Sequence, residues 1–345
     1  MPVPFIHDIA AQRVVFASGA IARIAEEAAH LGIERALVVA TPGSGERLGR
    51  RVVEILGARA AGLHAQAVVH VPKAVAEKGV AAASESRADG LVAVGGGAAI
   101  GLAKIIARDL ALPILALPTT YSGSEATSMW GLSDGERKFT GKSANVLPRT
   151  IVYDPELTLS LPAAVSAASA MNGVAHCVEA LWVADRTPYL VALATDAVRR
   201  FAQHLPRVIA DGNDRGARGE CLVAAWMAGV VLAPGTALQH KLAHVLGGLG
   251  LPHAETHAII LPHVARFNLV AAGEARTRLA EALGGEGGEK LAAMLAGLPI
   301  PQNLSAVGFD RGKTDFVADE IAKLAITAPR PVTANDVRAL LAAAF

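Results

Sequence analysis

Two groups of residues in this sequence have types and spacings that could do chemistry. The first is a run of histidines: His240 and His244 lie four residues apart, His253, His257 and His263 follow, and His176 stands four residues after Asn172. On a helix, residues four apart share a face, so Asn172 pairs with His176 and His240 with His244. A lone histidine on an apolar helix is most often a packed core residue. Several in one short segment argue instead for a shared site, where imidazoles exchange protons, donate hydrogen bonds or hold a metal. Lys241, beside His240, reads equally as an anion anchor or as a solvated helix lysine.

The second group is Gly95-Gly96-Gly97 with Ala98, entered by an apolar run and followed by a helical one. Backbone without Cβ lets a diphosphate approach, and the amides at the helix start meet its charge. A tight turn without a ligand is the plainer reading of a glycine triplet alone. Against it, Thr119, Thr120, Ser122 and Ser124 end the next strand-like run, at the edge where open α/β sheets bind ligands. The GxGxxG fingerprint of ordinary Rossmann dehydrogenases is absent. Thr41-Pro42-Gly43 follows the run 36–40 and offers neither an acid to repel a 2′-phosphate nor an Arg to bind one.

The elements that must carry these groups follow from hydrophobic periodicity. Residues 36–40, 91–97, 114–120 and 150–155 read as buried strands, with helical stretches such as 44–56 and 75–86 between them. This alternation predicts a mostly parallel sheet with helices on both faces. From residue 160 helix follows helix, over 163–183, 189–203, 218–231, 237–245, 274–283 and 288–295, with 284–288 as a turn and His253 in a loop led by Pro252. The expected fold class is α/β: a dinucleotide-binding sheet domain over 1–155 and an all-helical catalytic domain over 156–345.

Composition agrees with that plan. Of 345 residues 52% are hydrophobic but only 4% aromatic, so the core is built from Ala, Val, Leu and Ile. Lys and Arg number 32 against 31 Asp and Glu, a balance that gives no strong field for nucleic acid or an anionic membrane. Cys177 and Cys221 make no disulfide framework, and a reducing cytoplasm is expected. The first residues show no secretory pattern, and no stretch has the roughly 18 uncharged apolar residues of a membrane span.

The motifs GGGAAIGLAK, PTTYSGSE, YDPELT, MNGVAHCVEA and HKLAHVLGGLGLPHAETHAIILPHV resemble the iron-containing alcohol dehydrogenase family, in the same order and over most of the chain. The resemblance implies that family's two domains, shared with dehydroquinate synthase, and a nicotinamide cofactor, NADH favoured and NADPH also accepted. It places a cofactor-contacting lysine at Lys138, where the plainer reading is a charged loop. Family members hold a divalent metal with an Asp and three His, which fall by position on Asn172, His176, His240 and His253. An amide in place of the carboxylate removes the charge that offsets a hard dication, so no metal is expected, although three imidazoles can still hold Zn²⁺.

Asn172, Tyr121 within PTTYSGSE, Gly101 where an acid is usual, and HKLAHVLGG with PHAETHA resemble the maleylacetate reductases of that family. They imply a cytoplasmic homodimer that reduces the conjugated double bond of maleylacetate, a small dicarboxylate, to 3-oxoadipate during the breakdown of aromatic compounds. Hydride added β to the ketone leaves an enolate that must be stabilised and protonated. His244 is the expected acid, with His253, His240 and Lys241 as donors or anchors, and His176 as a further partner for the carboxylates. Tyr121, Ser122 or Asn172 could each donate to a substrate oxygen. The cofactor is assigned to Thr41, Gly95, Gly96, Gly97, Ala98, Thr119, Thr120, Ser124 and Lys138. The rival readings are a metal-dependent alcohol or polyol dehydrogenase, a lyase of the dehydroquinate synthase type, and a non-catalytic nucleotide-binding protein.

Overall fold

The computed structural model describes residues 5–135 and 137–345. By contact the chain falls into two units, Ile9–Leu161 and Pro162–Phe345, the second joined by the described N-terminal residues as far as Asp8.

The first unit carries strands β1 (Arg13–Phe16), β2 (Ala36–Ala40), β3 (Ala60–His64), β4 (Gly90–Gly95), β5 (Ile114–Pro118), β6 (Met129–Asp134), β7 (Arg137–Lys142) and β8 (Thr150–Tyr153). Its helices are α1 (Ile24–His30), α2 (Ser44–Leu56), α3 (Lys73–Glu85) and α4 (Gly97–Leu110). Six strands form one sheet in the order β1-β8-β5-β4-β2-β3, parallel at every pairing, while β6 and β7 form an antiparallel hairpin. Strands β2, β4, β5 and β8 are buried along their whole length, as a sheet covered on both faces requires. On one face, Ile24 and Ala28 of α1 and Val52 and Leu56 of α2 pack with Val38, Val92, Leu115 and Val152 of the strands.

Three sequence expectations need correction here. Lys138 lies in strand β7 and not in a loop. The sheet unit runs on past residue 155, because the Asp154 carboxylate at the end of β8 accepts from the amides of Gly19, Ile21 and Glu156. That knits the turn after β8 to the segment after β1. Strands β1 and β3 were not expected at all: β1 is a four-residue sheet edge, and β3 is only half-buried with a central glycine, so neither shows the apolar run of an inner strand.

The second unit contains α5 (Ala163–Ala180), α6 (Pro188–Ala210), α7 (Arg215–Val230), α8 (Leu238–Gly248), α9 (His253–Leu269), α10 (Gly273–Leu283), α11 (Gly287–Ala296), α12 (Thr314–Ala322) and α13 (Ala334–Ala344). Helix α5 is buried without interruption from Ser166 to Ala180, the state of a central helix surrounded by others. It packs on α6, α7 and α9, and α9 packs on α8. Leu238, Leu242 and Leu246 of α8 join Ile259, Ile260 and Val264 of α9 in the core, which turns His240 and His244 to the opposite side of α8.

His253 is the first residue of α9, not part of a loop. Pro262 lies inside that helix, over a stretch where the sequence reading placed no helix. Helix α11 opens at Gly287, one residue before the expected start at 288; a Cβ at Gly287 would fall 2.5 Å from Leu279 and one at Gly288 2.3 Å from Arg266. These glycines serve close packing. No helix among the described residues is long and apolar enough to cross a membrane.

Candidate active site

In the α/β unit, the chain leaves β2 for β3 on one side, then returns to β4 and continues to β5 and β8 on the other. Strands β2 and β4 therefore flank the switch point, where open parallel sheets bind ligands at the carboxyl ends of their strands. Thr41 follows β2 there, Gly95-Gly96-Gly97 closes β4, and Thr119, whose amide donates to the Gly95 carbonyl at 3.2 Å, follows β5. Gly95 has φ 137°, a conformation that a side chain strains. At Gly96 a Cβ would meet the Thr120 side chain at 2.7 Å, whereas at Gly97 nothing lies within 4 Å. Helix α4 thus begins with no side-chain cap and with room beside Gly97, and first-turn amides without such a cap are suited to an anion.

The loop after β5 is held by a residue the sequence reading did not single out. The buried Lys104 ammonium, on α4, donates to the carbonyls of Ser124 (2.6 Å), Thr127 (2.8 Å) and Met129 (2.9 Å) and to Thr127 Oγ1 (2.8 Å). Burial pulls this lysine down to about 7, with the nearby Glu125 carboxylate acting against it. Glu125 is itself buried and accepts from the Tyr153 hydroxyl at 2.7 Å. The loop after β5 is therefore tied, over residues 124–129, to α4, the helix that starts at the glycines. Tyr121 is wholly buried within it, Ser122 and Ser124 are half-buried, and the Ser124 hydroxyl has no partner.

The helical unit brings the expected histidines together. Ring centroids lie 4.9 Å apart for His176 and His240, 4.7 Å for His240 and His257, 4.6 Å for His257 and His253, and 5.8 Å for His253 and His244. Three helices supply this chain of rings: His176 from α5, His240 and His244 from α8, and His253 and His257 from α9. His176, His240 and His257 are buried, whereas His244 and His253 are half-buried. Asn172 shares the α5 face of His176, and Lys241 lies half-buried beside His240.

Hydrogen bonds from outside the expected set orient two of these rings. Glu179, buried on α5, takes His240 Nδ1 at 2.5 Å with one carboxylate oxygen and the Gln239 amide at 2.7 Å with the other. Gln239 Nε2 donates to the His257 carbonyl at 3.0 Å and lies 3.2 Å from His257 Nδ1. A carbonyl only accepts, so the amide nitrogen must be the atom facing α9, and its second hydrogen meets Nδ1. The hydrogen of the neutral His257 ring then sits on Nε2. Burial, with the neighbouring imidazoles adding to it, holds His257 and His176 well below the usual imidazole range, so both are neutral near pH 7. Asn172 Oδ1, His176 Nδ1, His240 Nε2 and His257 Nε2 are buried without partners. Each such group costs about 1–3 kcal/mol unless something pairs with it, and four in one cluster make this the candidate place for a polar ligand.

Glu179 and Gln239 were missing from the sequence-derived set, and His257, counted in the histidine run, was given no role there. Glu179 carried a signal, three residues beyond His176 in VAHCVE; His257 would have joined His253 had α9 been read as a helix. The thiols do not take part, since burial pushes both up, Cys221 to about 12. The residues at the family's metal positions do not fit an iron centre. Asn172 supplies an amide, the nearby Glu179 carboxylate is spent on Gln239 and His240, and among the described residues no three His, Cys, Asp or Glu side chains are disposed to hold a metal ion.

A switch-point cradle in a parallel α/β unit and a histidine cluster in a helical one place the protein within a known class. Residues 11–155 match the family model of iron-containing alcohol dehydrogenases, and residues 166–345 match the C-terminal domain of the same family. The chain belongs to the iron-containing alcohol dehydrogenase family. Among its relatives, the maleylacetate reductase of Sphingobium indicum is 42% identical, the alignment covering 99% of this chain and 97% of that one. Maleylacetate reductase 2 of Cupriavidus pinatubonensis is 44% identical over 96% of this chain and 94% of its own. The crystal structure of maleylacetate reductase from Agrobacterium tumefaciens superimposes with a TM-score of 0.96 at 39% identity, covering 99% of this chain and 98% of the other.

Proposed function

We propose that the protein is an NAD(P)H-dependent maleylacetate reductase. The observation that carries this reading is the cluster of unpaired polar atoms on Asn172, His176, His240 and His257, with an amide where a carboxylate would repel a dianion. A reduced nicotinamide held at Gly95, Gly96 and Gly97 would supply hydride to the carbon β to the substrate's ketone, which would move the electron pair of the double bond to the ketone oxygen. His257 Nε2–H donates to that enolate oxygen and stabilises it, and His240 lines the same site through Nε2. His244 then delivers a proton to the α-carbon, leaving 3-oxoadipate and the oxidised cofactor. His253 supports His244, while His176 and Lys241 receive the substrate's carboxylates. Tyr121 and Ser122 are kept as substrate contacts.

Cofactor binding is assigned to Thr41, Gly95, Gly96, Gly97, Ala98, Thr119, Thr120, Ser124 and Lys138. NADH is the preferred donor, and NADPH is accepted because Thr41 places no negative charge against its 2′-phosphate. The reading carries with it a cytoplasmic homodimer serving the breakdown of aromatic compounds. The decisive test follows NADH oxidation by the purified protein with maleylacetate and, separately, with simple aldehydes and ketones. Turnover confined to the carbonyl compounds would overturn the assignment.

We infer further that the reaction needs no metal, since Asn172 stands where a dication would need an anionic ligand. Treatment with a chelator is expected to leave kcat unchanged, and elemental analysis to find far less than one metal per chain. Stoichiometric Fe or Zn whose removal abolishes turnover would sink this inference.

A further inference from the structure

We propose that Glu179 is the positioning residue of this site: its carboxylate holds the His240 ring with Nδ1 as the donor, so that Nε2 is the nitrogen presented to substrate. The proposal rests on the reading of the site as a maleylacetate reductase and adds a residue to it. Glu179 lies on α5 three positions after His176, with its side chain 2% exposed. An ionised carboxylate so buried is costly unless both oxygens are engaged, and here they are, at 2.5 Å from His240 Nδ1 and 2.7 Å from the Gln239 amide.

The two oxygens do different things. That amide belongs to the first turn of α8, which has no side-chain cap of its own. Its first-turn N–H groups lack partners within the helix, and a negative charge there is favourable. This half of the interaction fixes where α8 starts, and with it the side chain of Gln239 that orients His257. The other half acts on the ring. A carboxylate accepts and does not donate, so Nδ1 carries the hydrogen whether the imidazole is neutral or protonated. Nε2 is then the only nitrogen of His240 left to accept from a ligand or donate to one, and it is buried and unpaired. Capping alone would need a single oxygen.

Glu179→Gln separates the two roles. The amide oxygen still caps the Gln239 N–H, whereas the amide nitrogen turned to His240 donates to Nδ1 and favours the ring with its hydrogen on Nε2. The variant is expected to fold, to keep the KM for NADH, and to lose about ten- to a hundredfold in kcat, with Glu179→Asp recovering part of the loss. Nitrogen spectra of histidine-labelled protein, with His240 assigned through His240→Gln, should show hydrogen on Nδ1 in the wild type and its loss from Nδ1 in Glu179→Gln. A folded Glu179→Gln enzyme with wild-type kcat would overturn the proposal, as would a wild-type His240 whose hydrogen sits on Nε2 alone. If Glu179→Gln does not fold, the wild-type spectrum and Glu179→Asp kinetics decide. Wild-type protein that fails to reduce maleylacetate refutes the proposed function, while the spectra still report whether Glu179 sets the ring.

Discussion

His244→Ala is expected to lower kcat for maleylacetate by about two to four orders of magnitude, the range for a lost general acid, with NADH binding unchanged. The rings fall into an inner buried trio, His176, His240 and His257, and an outer half-buried pair, His244 and His253. An acid that turns over must recover its proton from water after each cycle, which an outer ring can do. Cofactor binding should be spared, since the residues assigned to it, from Thr41 to Lys138, belong to the sheet unit. Single-turnover hydride transfer, with circular dichroism showing both proteins folded, makes the comparison. Chemistry at the wild-type rate would make His244 a structural residue and move the search for the acid to His253 or His240.

His257→Phe should cost about two to three orders of magnitude in kcat, as when one donor to a developing oxyanion is removed. Phenylalanine keeps the ring volume but deletes Nε2–H, and Gln239 retains the backbone carbonyl of residue 257 as an acceptor. Because burial keeps His257 neutral, it donates without carrying charge, and the acid limb of the kcat profile should not report its titration. Steady-state kinetics across pH would show this. A His257→Phe enzyme with wild-type kcat would remove His257 from the reaction.

How much of this was legible beforehand depended on what each residue's neighbours were. Strands β2, β4, β5 and β8 announced themselves because a doubly covered sheet forces continuous apolar runs. The cradle could be read because strand end, glycines and helix start are contiguous in the chain. The pairing of His240 with His244, and of Asn172 with His176, needed only helical spacing. Glu179 on His240 and Lys104 on the Ser124–Met129 segment were another matter. Each joins elements tens of residues apart, and buried polar side chains inside apolar helices look like exceptions until their partners are known. α9 was not read as a helix, and with it went the place of His257.

The two neutral inner histidines also bear on how the fold survives acid. His176 and His257 refuse protons in the folded state at pH values where a solvated imidazole accepts them. Their folded pKa values are depressed below the unfolded 6.5, so the stability they contribute is whole above about pH 6.5. As pH falls below that, the unfolded chain gains protons that the folded chain does not take up, and stability drops by as much as about 1.4 kcal/mol per pH unit for each ring until the folded pKa is reached. Urea unfolding midpoints should therefore fall between pH 7 and pH 5, and replacing His257 by Phe should flatten that fall by about one proton's share. The same burial that keeps these rings uncharged for donating hydrogen bonds makes the helical unit sensitive to mild acid.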